Sequence, residues 1–254
     1  MSDVVDIWRE KVPVRFGNID RSDRLTLWSI FDFFQEAAIS HATMLGVGRD
    51  AMTQSRQAWI LSRLSLIVER RPLYGEIVEI STWPRKWEKL FALRDYCIRD
   101  AGANAVVRGR GGWLVMDLEK RRPIRAQSIM EDLPHNEGVD ALPSGPASLS
   151  PTEGLSKIAE RIASYSDIDF YGHANNARYI QWIQDATDMD ILTAASQIRL
   201  DINYLSEVMP GDTVELWTAV LEETGSGFAY EGRRPAAADN AGQAVFRAEL
   251  RITG

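Results

Sequence analysis

The chain has 254 residues, 45% of them apolar, enough for one large domain or two small ones with real cores. A formal net charge of −7 argues against a general nucleic-acid binder. No stretch approaches the roughly 18 consecutive apolar residues that span a bilayer. The N-terminal MSDVVDIWREKVPVRF lacks the basic start and apolar run of a secretory signal. The one cysteine, Cys97, lies in the strand-like LRDYCIRD and is expected as a buried, inert thiol. A reducing, cytoplasmic setting fits this usage.

Taken in chain order, a polar turn, IDRSDR, runs into an apolar stripe of Leu27, Ile30, Phe31, Phe34 and Ala38 at helical spacing. Gly46 is placed to stop that helix. His41 falls on it without an evident carboxylate partner. Strand-like runs follow: WILSRL, then FALRDYCIRD and AVVRGRGGWLVMDL, with the Pro and Gly of PLYGE reversing the chain. LPHNEGVDALPSGPASLSPTEG is rich in Pro, Gly and Ser and reads as a linker. We therefore expect a first domain over residues 1–133, a linker over 134–157 and a second domain over 158–254.

The second domain repeats the pattern. Asn175 or Asn176 is a natural N-cap for a helix whose stripe is Tyr179, Ile180, Ile183 and Ala186. Ile198, Leu200, Ile202 and Tyr204 then alternate with polar residues, the period of a half-buried strand. VMPGD turns the chain before TVELWTAVLEE and QAVFRAELRIT.

Two constant spacings relate the halves. At 149 residues, Asp20 meets Asp169, Gln35 meets Gln184, and Ala37 meets Ala186. At 136 residues, Arg63-Leu64 meets Arg199-Leu200, and Gly75-Glu76 meets Gly211-Asp212. An old duplication explains both. The predicted class is α+β: two copies of a long helix, each wrapped by an antiparallel sheet.

The copies differ in their ionisable groups. Arg24 stands where the second half has His173, and Arg71 stands where it has Glu207. Arginine stays protonated, whereas histidine titrates near neutral pH. The second half alone keeps carboxylate, imidazole and carboxylate, as one working site beside one retired site would.

DIDFYGHANNARYIQW resembles the hotdog thioesterase signature, an Asp followed by GHxNN and a helical Tyr. With IDRSDRLTLWSIFDFFQEAA, STWPRKWEKLFALRD and WLVMDLEKRRPIR, the chain resembles the acyl-acyl carrier protein thioesterases over roughly residues 10 to 250. That resemblance implies a double hotdog that hydrolyses fatty acyl thioesters in fatty acid biosynthesis, with acyl carrier protein as partner; the sequence carries no metal-ligand spacing, phosphate loop or nucleophile elbow, so no cofactor is expected. It implies catalytic roles for Asp169, His173 and Glu207. Glu207 as general base, or Asp169 as the attacking group, are the two assignments it allows. Tyr171 stands where plant members carry Asn, and Val208 where they carry Cys, so a cysteine nucleophile is excluded. Tyr171, Gly172, Asn175 and Asn176 are candidates for positioning the substrate or its oxyanion, although the two asparagines also suit helix capping. The first half would supply the acyl pocket, with Trp28, Phe31, Phe34 and Trp59 as candidate lining that also suits core packing. Basic clusters at Arg63, Arg70 and Arg71, at Arg85, Lys86 and Lys89, and at Lys120, Arg121, Arg122 and Arg125 offer docking for an acidic carrier or an ordinary solvated surface. An acyl-coenzyme A thioesterase and a non-catalytic acyl-binding protein are the alternatives. Either a monomer or a homodimer fits two tandem hotdogs.

Overall fold

The computed structural model describes residues 6–221, 227–236 and 242–253. Glu222 and Glu223, at the end of the expected strand TVELWTAVLEE, and the first five residues of the chain lie outside them. The chain divides into two compact units, Met1–Pro146 and Ala147–Gly254. Among the described residues no helix is long and apolar enough to cross a membrane.

The first unit contains β1 (Trp8–Pro13), α1 (Leu27–Met44), α2 (Arg49–Gln54), β2 (Gln57–Val68), β3 (Ile77–Glu88), β4 (Phe91–Arg99), β5 (Ala105–Asp117), β6 (Arg122–Ile124) and α3 (Gln127–Met130). Its strands pair antiparallel in the order β1-β3-β4-β5-β2, with β6 added to β5. The second unit contains β7 (Ser156–Ile162), α4 (Asn176–Ala186), α5 (Met189–Ala194), β8 (Gln197–Tyr204), β9 (Thr213–Leu221), β10 (Gly227–Arg233) and β11 (Ala244–Thr253). Its order, β7-β9-β10-β11-β8, repeats that of the first unit strand for strand. Each unit is a helix on an antiparallel sheet, as the repeat predicts.

The helix α1 forms where the apolar stripe is. Thr26 caps it, its hydroxyl accepting from the Ser29 N–H at 3.2 Å. Leu27, Ile30, Phe31, Phe34, Ala37 and Ala38 are buried, and Phe34 stacks on Tyr96 of β4 at 4.7 Å. Gly46 follows the last turn at φ 74°, the left-handed conformation that ends helices. His41 is buried too. Its Nδ1 accepts from Arg94 at 3.2 Å and its ring lies 6.3 Å from Trp8. Arginine is thus the partner the sequence did not name. The second helix is shorter, 11 residues against 18, because Asp188 caps a new helix, its carboxylate accepting from the Asp190 and Ile191 N–H groups.

Alternation along β4 turns Tyr96 toward α1 and sends Asp95 and Cys97 to the opposite face. There Asp95, fully buried, accepts two bonds from Arg110 (2.5 and 2.6 Å) and one from the Ala141 N–H at 2.8 Å. Asp140 accepts from Arg110 at 2.7 Å and from Arg85 at 2.9 Å, and Trp83 donates to the Val139 carbonyl at 2.9 Å. These bonds fasten the segment around 139–141 to the first unit. Beyond it, Asn203 holds Ala147 and Leu149 in the second unit, at 2.8 and 2.9 Å. The Pro- and Gly-rich stretch is therefore anchored chain on both sides of the boundary. Cys97 is buried, and burial pushes its thiol above the usual thiol range.

Removing Asp95 takes two charge-assisted bonds from a buried guanidinium and leaves it only the half-exposed Asp140 as counter-charge. We expect Asp95→Ala to cost about 3–5 kcal/mol, whereas Asp140→Ala, whose carboxylate is 46% exposed, should cost about 1 kcal/mol or less. Urea denaturation of both variants measures the difference; equal midpoints would contradict this account.

Candidate active site

The turn that carries the ionisable groups is built by its own backbone. In the second unit Asp169 donates its N–H to the His173 carbonyl at 2.9 Å and accepts on its carbonyl from the Gly172 N–H at 3.0 Å. Its carboxylate accepts from the Tyr171 N–H at 2.8 Å. An Asx-type turn of this kind favours a left-handed residue at its end, and Gly172 supplies it at φ 83°. The chain then enters α4 with Asn175 as N-cap, its side chain accepting from the Ala177 N–H at 2.9 Å.

The turn is held against the loop that follows β8. The Ala174 N–H donates to the Val208 carbonyl at 2.8 Å. The N–H groups of Leu205 and Ser206 both donate to the Val245 carbonyl, at 2.9 and 3.1 Å, so regular pairing ends at Tyr204. Glu207 lies on the irregular stretch beyond, where strand alternation no longer aims it. Its Oε2 comes within 3.4 Å of His173 Nε2. The Glu207 side chain is 54% exposed and that of His173 31%, so both are open to a reactant.

Beneath them lies Tyr179 of α4, almost fully buried. Burial pushes its phenol well above the ordinary range; nearby Arg234 and a bond from the Val208 N–H pull the other way, while the charges of Glu207 and Asp169 push further up. The charges of Asp169, Glu207 and Arg234 therefore all act on one phenol. Asn176 contributes its carbonyl, which accepts from Tyr204 Oη at 3.2 Å. Tyr171 projects outward, half-exposed and edge-on to Phe170 at 5.7 Å. Tyr179 belongs to the signature, and its helical spacing by itself marks only packing; Arg234 carries no signal in the sequence, since it is distant from every other site residue.

The first unit makes the same turn with different chemistry. Asp20 donates its N–H to the Arg24 carbonyl at 2.9 Å, and the Leu25 N–H donates to the Pro72 carbonyl at 2.8 Å. Where the second unit has Glu207 facing His173, the first has Arg71, 3% exposed and ion-paired with Asp20. Burial would raise the Asp20 carboxyl, but bonds from Ser22 and Arg71 outweigh it and hold the group below its usual value.

The candidate acyl-pocket residues separate. Phe31 and Phe34 are fully buried in the core. Trp28 is half-buried on α1. Trp59 is partly buried, donates to the Val47 carbonyl at 2.9 Å and packs on an apolar cluster with Met52, Val115 and Met130. A cavity of about 320 Å³ opens at the end of α1 between Leu45, Val47, Met52, Ile129 and Leu133. Of the basic clusters, Arg71 and Arg85 are buried in ion pairs and so are not docking surface, while Arg70 is partly exposed and paired with Glu76 at 2.7 Å. Lys86, Lys89, Arg121, Arg122 and Arg125 are exposed. Lys89 and Arg125 share a cleft of about 440 Å³ with Trp87, Leu90 and Gln127. Among the described residues no three His, Cys, Asp or Glu side chains converge as a metal site requires.

Two family models match in tandem: "Acyl-ACP thioesterase N-terminal domain" over residues 6–133 and "Acyl-ACP thioesterase C-terminal domain" over residues 154–249. Among relatives, a chloroplastic acyl-(acyl-carrier-protein) hydrolase of Cuphea viscosissima is 23% identical over 94% of this chain and 61% of its own length. The chain spans less than two thirds of the length of the curated relatives it matches. The fold is shared with an acyl-ACP thioesterase of Bacteroides thetaiotaomicron, at TM-score 0.85 and 23% identity over the whole of both chains. It is shared with a 12:0-ACP thioesterase of Umbellularia californica, at TM-score 0.81 and 20% identity over 97% of each. The tandem hotdog architecture is thereby established.

A carboxyl held low in the folded state contributes stability at pH values above its unfolded value of 3.8, and that contribution is lost as pH falls through the folded value. Thermal melts at pH 6 and pH 3 should therefore show Asp20→Asn losing less stability on acidification than the parent. Identical pH dependence would remove the Asp20–Arg71 pair as a source of acid sensitivity.

Proposed function

The chain belongs to the acyl-ACP thioesterase family, and we propose on that premise that it hydrolyses fatty acyl-acyl carrier protein thioesters to free fatty acid and holo carrier protein. The observation that supports this best is the approach of His173 Nε2 to Glu207 Oε2, 3.4 Å, in the unit that kept titratable groups. In the proposed reaction Glu207 takes a proton from a water, and the water oxygen attacks the thioester carbonyl carbon. The C–S bond breaks, and the departing thiolate takes up the proton. His173 holds that water or donates to the carbonyl oxygen, and the positive end of α4 favours the developing oxyanion. Asp169 positions the turn, its carboxylate accepting from the Tyr171 N–H. Gly172 leaves the approach to the turn unobstructed, an added Cβ there meeting nothing within 4 Å. Asn175 is engaged as the helix cap and Tyr171 faces outward, so neither is given a chemical role.

We assign the acyl chain to the first unit, where the apolar cluster around Trp59 offers a hydrophobic environment next to the cavity at the end of α1, whose lining also includes Ser55, Gln57 and Asp132. We assign the acidic carrier to the exposed cations at Lys86, Lys89, Arg122 and Arg125, which suit it despite the acidic total charge. A single buried thiol is compatible with the reducing cytoplasm.

Thiol release from a panel of acyl-carrier substrates tests the assignment. His173→Ala, Glu207→Ala and Asp169→Asn should each lower it by at least about tenfold; full activity in all three would mean the site is elsewhere. Acyl chains bound without thiol release above background would instead favour a binding protein. Separately, reversing Lys86, Lys89, Arg122 and Arg125 to Glu should raise KM for the carrier substrate and leave coenzyme A thioesters unaffected. An unchanged KM for the carrier substrate would dismiss that docking face.

A further inference from the structure

Glu207 sits on a loop, and a base on a loop needs something to fix its direction. Arg234, just past the end of β10, reaches back to this loop with both ends of its guanidinium. Nη2 donates to the Glu207 carbonyl at 2.5 Å, Nη1 donates to Ser206 Oγ at 3.1 Å, and Asp212 Oδ2 lies 3.6 Å away. Asp212 in turn accepts from the Met209 N–H at 3.0 Å, closing the far end of the loop. Arg234 is itself anchored, its backbone N–H donating to the Gln243 carbonyl at 2.9 Å. Its side chain is two thirds buried. In the shared strand register Gly232 takes the place of Ile98 and Arg233 that of Arg99, so the first unit has Asp100 where the copy that holds His173 and Glu207 has Arg234.

We propose that Arg234 is a positioning residue for the hydrolysis: its planar fork clamps the 205–212 loop at Ser206 and Glu207 and so holds the Glu207 carboxylate at His173. The fork matters because it binds two acceptors in one plane, which a single ammonium cannot reproduce. Tyr179 supports the same loop from below through the Val208 N–H, and the positive charge of Arg234 reaches its phenol. The clamp acts through Glu207 and touches no reacting atom, so it belongs to the turnover step and not to substrate affinity.

This inference rests on the hydrolase reading, and the test separates the two. Thiol release is measured for the parent, Glu207→Ala, Arg234→Ala, Arg234→Lys and the double variant Glu207→Ala/Arg234→Ala, with amide hydrogen exchange of Leu205, Ser206 and Val208 in each. Arg234→Ala should lower kcat by at least about tenfold with KM within about twofold of the parent. Arg234→Lys should recover only a minor part of that loss. The double variant should be no slower than Glu207→Ala, and the three amides should exchange faster in Arg234→Ala than in the parent. Parental kcat in Arg234→Ala, full recovery by lysine, or additive losses in the double variant would overturn the clamp. A parent that releases no thiol would sink the hydrolase reading, and the exchange rates would still decide whether Arg234 holds the loop.

Discussion

One backbone hydrogen bond sets the geometry on which the site depends, from the Ala174 N–H to the Val208 carbonyl at 2.8 Å. It joins the turn that leads into α4 to the loop that leaves β8, two segments more than thirty residues apart in sequence. Side chains on either side of such a bond are forced into proximity whatever their identity. His173 precedes its donor and Glu207 precedes its acceptor, so the two meet at 3.4 Å. An imidazole beside a carboxylate in a half-exposed setting is a serviceable arrangement for moving protons.

The same bond exists in the first unit, between Leu25 and Pro72, and there it brings together different chemistry. Asp20 and the buried Arg71 form a partly buried ion pair, with Ser22 adding bonds to the carboxylate. Neither group is free to accept a proton from water. Duplication supplied two identical frames, and the residues placed in them divided into a structural lock and a titratable pair. The frame itself is specified by small features, including glycines at φ 82° and 84° (Gly75 and Gly211) that let the reversing turns close.

Charge has a comparable double life. The chain is acidic, yet its arginines are concentrated where they hold the fold together: Arg110 and Arg85 against Asp95 and Asp140, Arg233 and Arg247 on the buried Glu231, and Arg94 on His41. Arg234 does the same for the loop that carries Glu207. Lys86 and Lys89 near the turn between β3 and β4, and Lys120 and Arg121 between β5 and β6, stay in solvent. Sequence clustering alone treats both groups alike, because it cannot see which guanidinium finds a carboxylate.

The sequence by itself determined the class and the plan: two constant spacings, an apolar stripe at helical period in each half, and alternating strands with Pro-Gly turns are local patterns. They survive folding because burial follows period. It also determined which half kept ionisable groups, since Arg24 against His173 and Arg71 against Glu207 can be read by alignment. Tertiary structure decided what those groups touch. Where Glu207 points depended on a strand ending at Tyr204, which no periodicity announces. That Phe31 and Phe34 fill the core while Trp59 packs, partly buried, on the cluster around Met52 and Val115 depended on packing between distant elements. Arg234 was invisible because its partners lie 22 to 28 residues away across a chain reversal. Long-range contacts of that kind leave no spacing rule in a single chain, and only the folded backbone brings them to one place.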